Sequence, residues 1–248
     1  MATAYYPTPA AANYNMAPTH APSQRARGYR ICDQCGTVET PAVKFRLCGG
    51  CMTTQYCSQD CQKVHWPSHR TICQHTAMQV KAAAAGGAQY GGAPDENIAK
   101  NLRKFTSAHS ALLGWAGFQA LKLKRVPAAL RQSALVIDLN YQHHSEAHRR
   151  FTINGTHVVP RTYVRDPLVT ADIQRREERC RANGGIGTLV VIIQCGPTSQ
   201  VMPVEVDPPS KIGWDERSDW ESALRHFVDS GRTDFKPICT GTNGIYYA

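Results

Sequence analysis

The chain has 248 residues, 42% of them hydrophobic and 19% charged, and its 28 Lys+Arg against 19 Asp+Glu give a formal net charge of +9. That length and apolar content allow one large domain or a small and a medium one, which excludes a wholly disordered protein. The longest aliphatic run, residues 189–193, falls far short of the ~18 residues a membrane helix requires, and the N-terminus has no cation before Arg25 and no continuous apolar stretch of the secretory type. An intracellular chain without membrane contact is expected.

Residues 1–30 are Ala- and Pro-rich, with Tyr5-Tyr6-Pro7-Thr8-Pro9 at their centre of low complexity. Such a composition cannot bury enough apolar surface to offset chain entropy, so a disordered tail is expected. The next segment, residues 31–76, is different in kind. Seven of the ten cysteines lie there, in the order Cys32-x2-Cys35-x12-Cys48-x2-Cys51-x5-Cys57-x3-Cys61-x7-His69-x3-Cys73. In a reducing compartment clustered cysteines point to metal rather than disulfides. Eight such ligands complete two tetrahedral sets, which is the requirement of two closed, structural Zn²⁺ sites. A catalytic zinc keeps one position open for water, and here none is left. His65 and His75 lie nearby but break the x3 spacing to Cys73, while Cys180, Cys195 and Cys239 read as core or surface residues.

These residues resemble the MYND-type zinc finger, and the likeness extends to the pairs Tyr56-Cys57 and Cys61-Gln62, to Trp66, and to the His69-x3-Cys73 ending. The resemblance covers residues 32–73. It implies interleaved ligands: Cys32, Cys35, Cys57 and Cys61 on one zinc, and Cys48, Cys51, His69 and Cys73 on the other. Spacing alone gives eight ligands and leaves the pairing open, although two x3 spacings suit successive helical turns. Relatives of this kind are protein-interaction modules, several of which bind extended proline-containing peptides, often of the Pro-x-Leu-x-Pro type. The resemblance places the peptide contacts on Gln62 and Trp66, one turn apart on a helix. The alternative is that both pack the finger itself, since a tryptophan is often the main apolar mass of so small a domain. The Cys48-Gly49-Gly50-Cys51 knuckle offers no side chain to grip a ligand. Catalytic relatives join the finger to a SET methyltransferase domain, but the chain lacks that family's Asn-His-Ser-Cys-like motif and closing cysteine triplet, and a non-enzyme is expected. The overall layout resembles that of uncharacterised fungal MYND-finger proteins.

An Ala/Gly-rich linker is expected over residues 77–96, with a helical extension through the alanines at 82–85 as the alternative. Residues 97–248 read as an α+β domain with hairpin strands packed by helices. Apolar spacing predicts one long amphipathic helix over 97–124, bounded by Pro127. A strand follows at 134–139, and Asn154-Gly155 signals a tight hairpin between 150–153 and 157–159. His143, His144, Glu146 and His148 suggest a second metal or acid–base cluster, against which stands a solvated polar loop. Thr170 is expected to cap a charged helix ending at Asn183-Gly184-Gly185, where the following Gly187 completes a helix stop rather than a dinucleotide loop. Residues 188–195 read as a strand buried on both faces, turned by Gly196-Pro197 into 200–206. The last helix is expected to open at a capping box from Ser218 to Glu221, bury Trp220, Leu224, Phe227 and Val228, and stop at Gly231.

Residues 99–248 hold 20 Lys+Arg and 14 Asp+Glu, net +6, with basic runs at Lys122, Lys124, Arg125 and at Arg175, Arg176, Arg179, Arg181. A solvated helix face is the plain reading of the second run, which Glu177 and Glu178 interrupt. The sequence therefore predicts a zinc-binding interaction adaptor whose finger recruits a proline-containing partner segment, in regulation of transcription or signalling. Homo-oligomer contacts through the C-terminal domain are an associated expectation. A nucleic-acid-associated regulator is the alternative, and an enzyme hidden in residues 99–248 is the third reading. Seven thiolates and two Zn²⁺ would bring the charge of the folded chain from +9 to about +6.

Overall fold

The computed structural model describes residues 31–40, 42–86, 98–241 and 244–247. The expected tail over 1–30 and the end of the expected linker, residues 87–96, lie outside the described residues. What is described is a two-part assembly: a small finger and a mixed sheet layered by helices.

The finger opens with a bridge between Ile31 and Val38 and a minimal antiparallel pair, β1 (Arg46–Leu47) and β2 (Gln55–Tyr56). Helix α1 (Gln59–Gly86) follows. Ser58 caps it, its Oγ accepting from the Cys61 amide at 3.1 Å, which satisfies one orphan donor of the first turn. The helix runs through the alanines to Gly86, so the first half of the expected linker is helix. Alanine has the highest helix propensity, and nothing in 77–85 breaks the helix already running from Gln59.

Helices α2 (Ile98–Ala108) and α3 (Ser110–Ala120) replace the single helix expected over 97–124. The break is at His109, whose ψ of 15° departs from helical values. Its cause is tertiary: α2 is amphipathic, whereas α3 is buried on nearly all sides from Leu112 to Gln119, so the two need different paths. A short α4 (Ala129–Gln132) leads into β3 (Ser133–Tyr141).

The sheet has the order β4-β3-β5-β6. Strand β4 (Phe151–Pro160) pairs antiparallel with β3 along its whole length. Asn154-Gly155 is therefore not a hairpin turn. Register passes from Asp138↔Gly155 to Leu139↔Ile153, leaving Asn154 as the extra residue of a β-bulge. Arg225 receives the acceptors this frees, donating to the Ile153 carbonyl at 2.7 Å and the Asn154 carbonyl at 3.4 Å.

Helix α5 (Pro167–Ala182) carries the chain back. Its cap is Asp166, whose carboxylate accepts from the Leu168 and Val169 amides, and not Thr170, which lies within the first turn. Asn183 and a left-handed Gly184 end it as expected. Strand β5 (Gly187–Cys195) runs parallel to β3 and is buried at every residue but Gln194. The two-residue turn Gly196-Pro197 joins it to antiparallel β6 (Thr198–Val206). Helix α6 (Trp220–Asp229) follows, its first cap position held by Asp219, whose side chain turns to Arg217 instead of the helix. A hairpin, β7 (Ile238–Gly241) and β8 (Gly244–Tyr247), closes the described chain.

Alternation along β3 and β5 builds two cores. Leu135, Ile137, Leu189, Val191 and Ile193 face α3 and α6, while Ala134, Val136, Val190 and Ile192 face Ile173 of α5. Three layers result, with helices on both faces of a mixed sheet.

Candidate functional site

Two ligand groups form in the finger. The donor atoms of Cys32, Cys35, Cys57 and Cys61 all lie within 4.8 Å of one another, and so do those of Cys48, Cys51, His69 and Cys73. The interleaved pairing follows from the chain path. Two tight turns supply the first pair of each set: Gly36 donates to the Cys32 carbonyl at 3.0 Å, and Met52 to the Cys48 carbonyl at 2.8 Å. Helix α1 supplies the second pairs, His69 and Cys73 from successive turns and Cys61 from its first turn. Cys57 lies just before the helix, ahead of Ser58, so only the His69–Cys73 spacing is a helical one.

The donor sets fit zinc closely. Tetrahedral Zn²⁺ with Zn–S near 2.3 Å places sulfurs about 3.8 Å apart and a sulfur and imidazole nitrogen about 3.5 Å apart. The sulfur separations are 3.6 Å for Cys35–Cys57 and Cys48–Cys73 and 3.5 Å for Cys57–Cys61, and Cys51 Sγ lies 3.5 Å from His69 Nε2. None of the ten cysteines is in a disulfide. Without a cation such crowding is unfavourable: burial and hydrogen bonding with Cys61 and Cys35 push Cys57 up to about 12. A bound cation inverts that preference. The finger thus holds two structural zincs, one Cys₄ and one Cys₃His.

The outer contacts are specific. His69 presents Nε2 to its tetrad and Nδ1 to Thr54 Oγ1 at 3.4 Å, the partner that fixes a metal-binding imidazole. His65 is not a ligand; its Nδ1 meets the Tyr56 hydroxyl at 2.9 Å, its ring stacks on His69, and burial lowers its pKa to about 4. His75 reaches away to Asp166 at 3.1 Å. Phe45 and Tyr56 provide the buried aromatic mass of the finger. Trp66 does not: it is 40% exposed, with its ring edge-on to His69 at 6.2 Å. Gln62, one turn earlier, is half-buried.

The finger is fastened to the sheet domain by charge. Asp33, between the first two ligands, is 3% exposed. Its carboxylate accepts from the Gln55 amide and pairs with Arg176 and Arg179 of α5. Arg176 is shared with Asp172, whose pKa falls to about 2 because its two arginine neighbours outweigh burial; Arg179 is shared with Glu205 of β6. Arg176 and Arg179 of the α5 basic run thus turn inward to acidic partners, while Arg181 stays at the surface, paired with Glu177. Arg103 of α2 is buried against α1, its guanidinium 3.5 Å from the Thr76 carbonyl.

The remaining candidates do not assemble. His144 Nδ1 accepts from the Glu146 amide and Glu146 pairs with Arg149, and no third ligand group forms among the described residues. Cys180, Cys195 and Cys239 are buried in the core, Cys180 donating to the Gly187 carbonyl. No helix among the described residues is long and apolar enough to cross a membrane. Sequence reasoning missed Asp33, whose only signal was its place between two ligands.

Residues 32–73 match the family model of the MYND finger. The chain is 45% identical over 51 residues to the MYND-type zinc finger protein samB of Aspergillus clavatus, covering 20% of this chain and 8% of that protein. Similarity to F-box protein At5g50450 of Arabidopsis thaliana is 40% over 65 residues, or 25% of this chain and 19% of that one. N-lysine methyltransferase SMYD2-B of Danio rerio is 43% identical over 44 residues, 18% of this chain and 9% of its own. The chain thus spans less than a fifth of the length of these curated relatives. No solved structure matches it. Residues 32–73 are a MYND finger, a protein-interaction domain.

Proposed function

We propose that the chain is a non-enzymatic adaptor whose finger recruits a proline-containing segment of a partner protein, in transcriptional or signalling regulation. The placement of Trp66 carries this reading. In a domain this small a tryptophan is expected inside, yet Tyr56 and Phe45 fill that role and the indole stands at the surface. The ring meets the zinc-holding imidazole in a T-shaped contact, and the rest of its apolar surface is open to a ligand. Gln62 at i−4 shares that side of α1, where an amide can hydrogen-bond a peptide backbone beside the ring. Both zinc sets are complete with four protein ligands, the arrangement of a scaffold rather than of a hydrolytic centre.

The test is capture of a proline-containing peptide by the full chain. Trp66→Ala should abolish capture while mass spectrometry still finds two zincs per chain. Undiminished capture by the variant would sink the reading.

A further inference from the structure

The two zinc sets differ in charge and in access to water. Four thiolates of −1 around a +2 ion leave −2 on the Cys₄ set, and three thiolates with a neutral imidazole leave −1 on the Cys₃His set. The first can be screened by solvent, since Cys35 is exposed and Cys57 and Cys61 are half-buried. The second cannot: Cys48, Cys51, His69 and Cys73 are each at most 4% exposed. A charge held that far from water calls for an opposite charge close by.

The finger itself does not supply a buried one. Its Lys and Arg side chains between the first and last ligands, Lys44, Arg46, Lys63 and Arg70, are all exposed. The sheet domain does. Arg103 of α2 is 6% exposed, the least of any arginine among the described residues.

Other deeply set arginines have carboxylates: Arg161 pairs with Glu177, and Arg176 with Asp33 and Asp172. Among the described residues Arg103 pairs with none. Its hydrogen bond goes to the Thr76 carbonyl at 3.5 Å, and burying a guanidinium for one long hydrogen bond is unfavourable by itself. The charged groups that favour its cationic form are the thiolates of Cys51 and Cys73. Helix packing agrees with this. Helix α1 lies on α2, Cys73 and Thr76 are three residues apart on one side of α1, and Arg103 meets α1 at Thr76.

The structure assigns Arg103 as the counter-charge of the Cys₃His zinc: a residue outside the finger that raises the affinity of its second metal site. The seat of α1 on α2 and the hold on that metal are thereby coupled. The role involves neither Gln62 nor Trp66 and is independent of peptide capture.

Zinc affinity of the full-length protein, measured by competition with a chromophoric chelator, tests the assignment, and the visible spectrum of the Co²⁺-loaded protein shows which set has lost metal. Arg103→Gln keeps a side-chain N–H donor and removes the charge. It should weaken the Cys₃His site by about tenfold or more and leave the Cys₄ site unchanged. Arg103→Lys, which restores the charge, should recover most of that loss. Equal losses in the Gln and Lys variants would trace the effect to packing and overturn the assignment. So would a loss shared equally by the two sites, or no loss at all. Amide protection of β5 is the control for folding, and Arg103→Met, similar in length and uncharged, takes the place of the Gln variant should that control fail.

Discussion

The carboxylate of Asp33 meets the guanidinium of Arg176 across 143 positions of sequence, and both side chains are withdrawn from water. Asp33 lies between the first two ligands of the Cys₄ set, and Arg176 lies on the helix that covers one face of the sheet. The ion pair therefore joins a unit whose core is metal to one whose core is hydrocarbon. Taking two charges out of water is costly, and neither is left alone here: Gln55 donates to the acid, and Asp172 shares the base.

Removing one partner should cost far more than removing both. Asp33→Ala leaves Arg176 buried with half its counter-charge, a loss of about 3–5 kcal/mol. Replacing the pair by apolar groups, Asp33→Leu with Arg176→Met, should cost much less, giving a large coupling energy in a double-mutant cycle. Denaturant unfolding at constant zinc would measure it; additive losses would mean that the two residues act separately.

The second knuckle gives a sharper contrast. A Cβ on Gly50 would lie 2.7 Å from Cys73 Sγ, whereas one on Gly49 meets nothing within 4 Å. Gly50→Ala should displace a ligand and lower affinity of the Cys₃His site by roughly tenfold or more, while Gly49→Ala leaves it intact. Competition with a chromophoric chelator would resolve the two sites; equal behaviour of both variants would contradict the packing at Cys73.

Chelation should unfold the finger and spare the sheet. Each structural zinc supplies about 10–16 kcal/mol of apparent folding free energy, and the buried finger core consists of cysteines, Phe45 and Tyr56. The sheet domain has its own cluster around Leu112, Phe118, Leu189 and Val191. Hydrogen exchange after zinc removal should show β1, β2 and the start of α1 open while β3 and β5 stay protected. Parallel loss of protection in β5 would show that the domain depends on the metal.

What was legible in the sequence is what short-range chemistry dictates. Ligand spacing, the two-sided burial of β5 and the glycine stop after Asn183 are all set within a few residues of themselves. What escaped depends on distant partners. Asn154-Gly155 carries a strong turn signal, but β3 offers nine residues of ladder and Arg225 binds the carbonyls that a bulge exposes, so the chain stays extended. The break at His109 has no glycine or proline to announce it, because it answers to the burial of α3. Asp166-Pro167 did carry a cap-and-first-turn signal that Thr170 obscured. The charges of α5 looked like a solvated face since nothing local tells Arg176 that Asp33 waits for it.

His109 itself should make the fold acid-sensitive. The ring is buried, packed on Phe105 at 4.7 Å, and its Nε2 lies 3.4 Å from the His148 carbonyl. Burial lowers its pKa from 6.5 to about 4, so the folded protein holds it neutral where the unfolded chain takes up a proton. Between those values the unfolded state binds more protons, and stability therefore falls as pH is lowered from about 6.5 toward 4 and is regained as pH rises. The slope approaches 1.4 kcal/mol per pH unit within that window. His109→Gln removes the titrating ring, so the variant should lose less stability than the natural chain between pH 7 and 5.5, with the difference growing toward the acid end. Comparing the two in this range cancels any contribution of His65 and of the zinc ligands, which both proteins share. Parallel stability curves would show that His109 takes up its proton as readily in the folded protein as in the unfolded chain and that its burial does not govern the acid response.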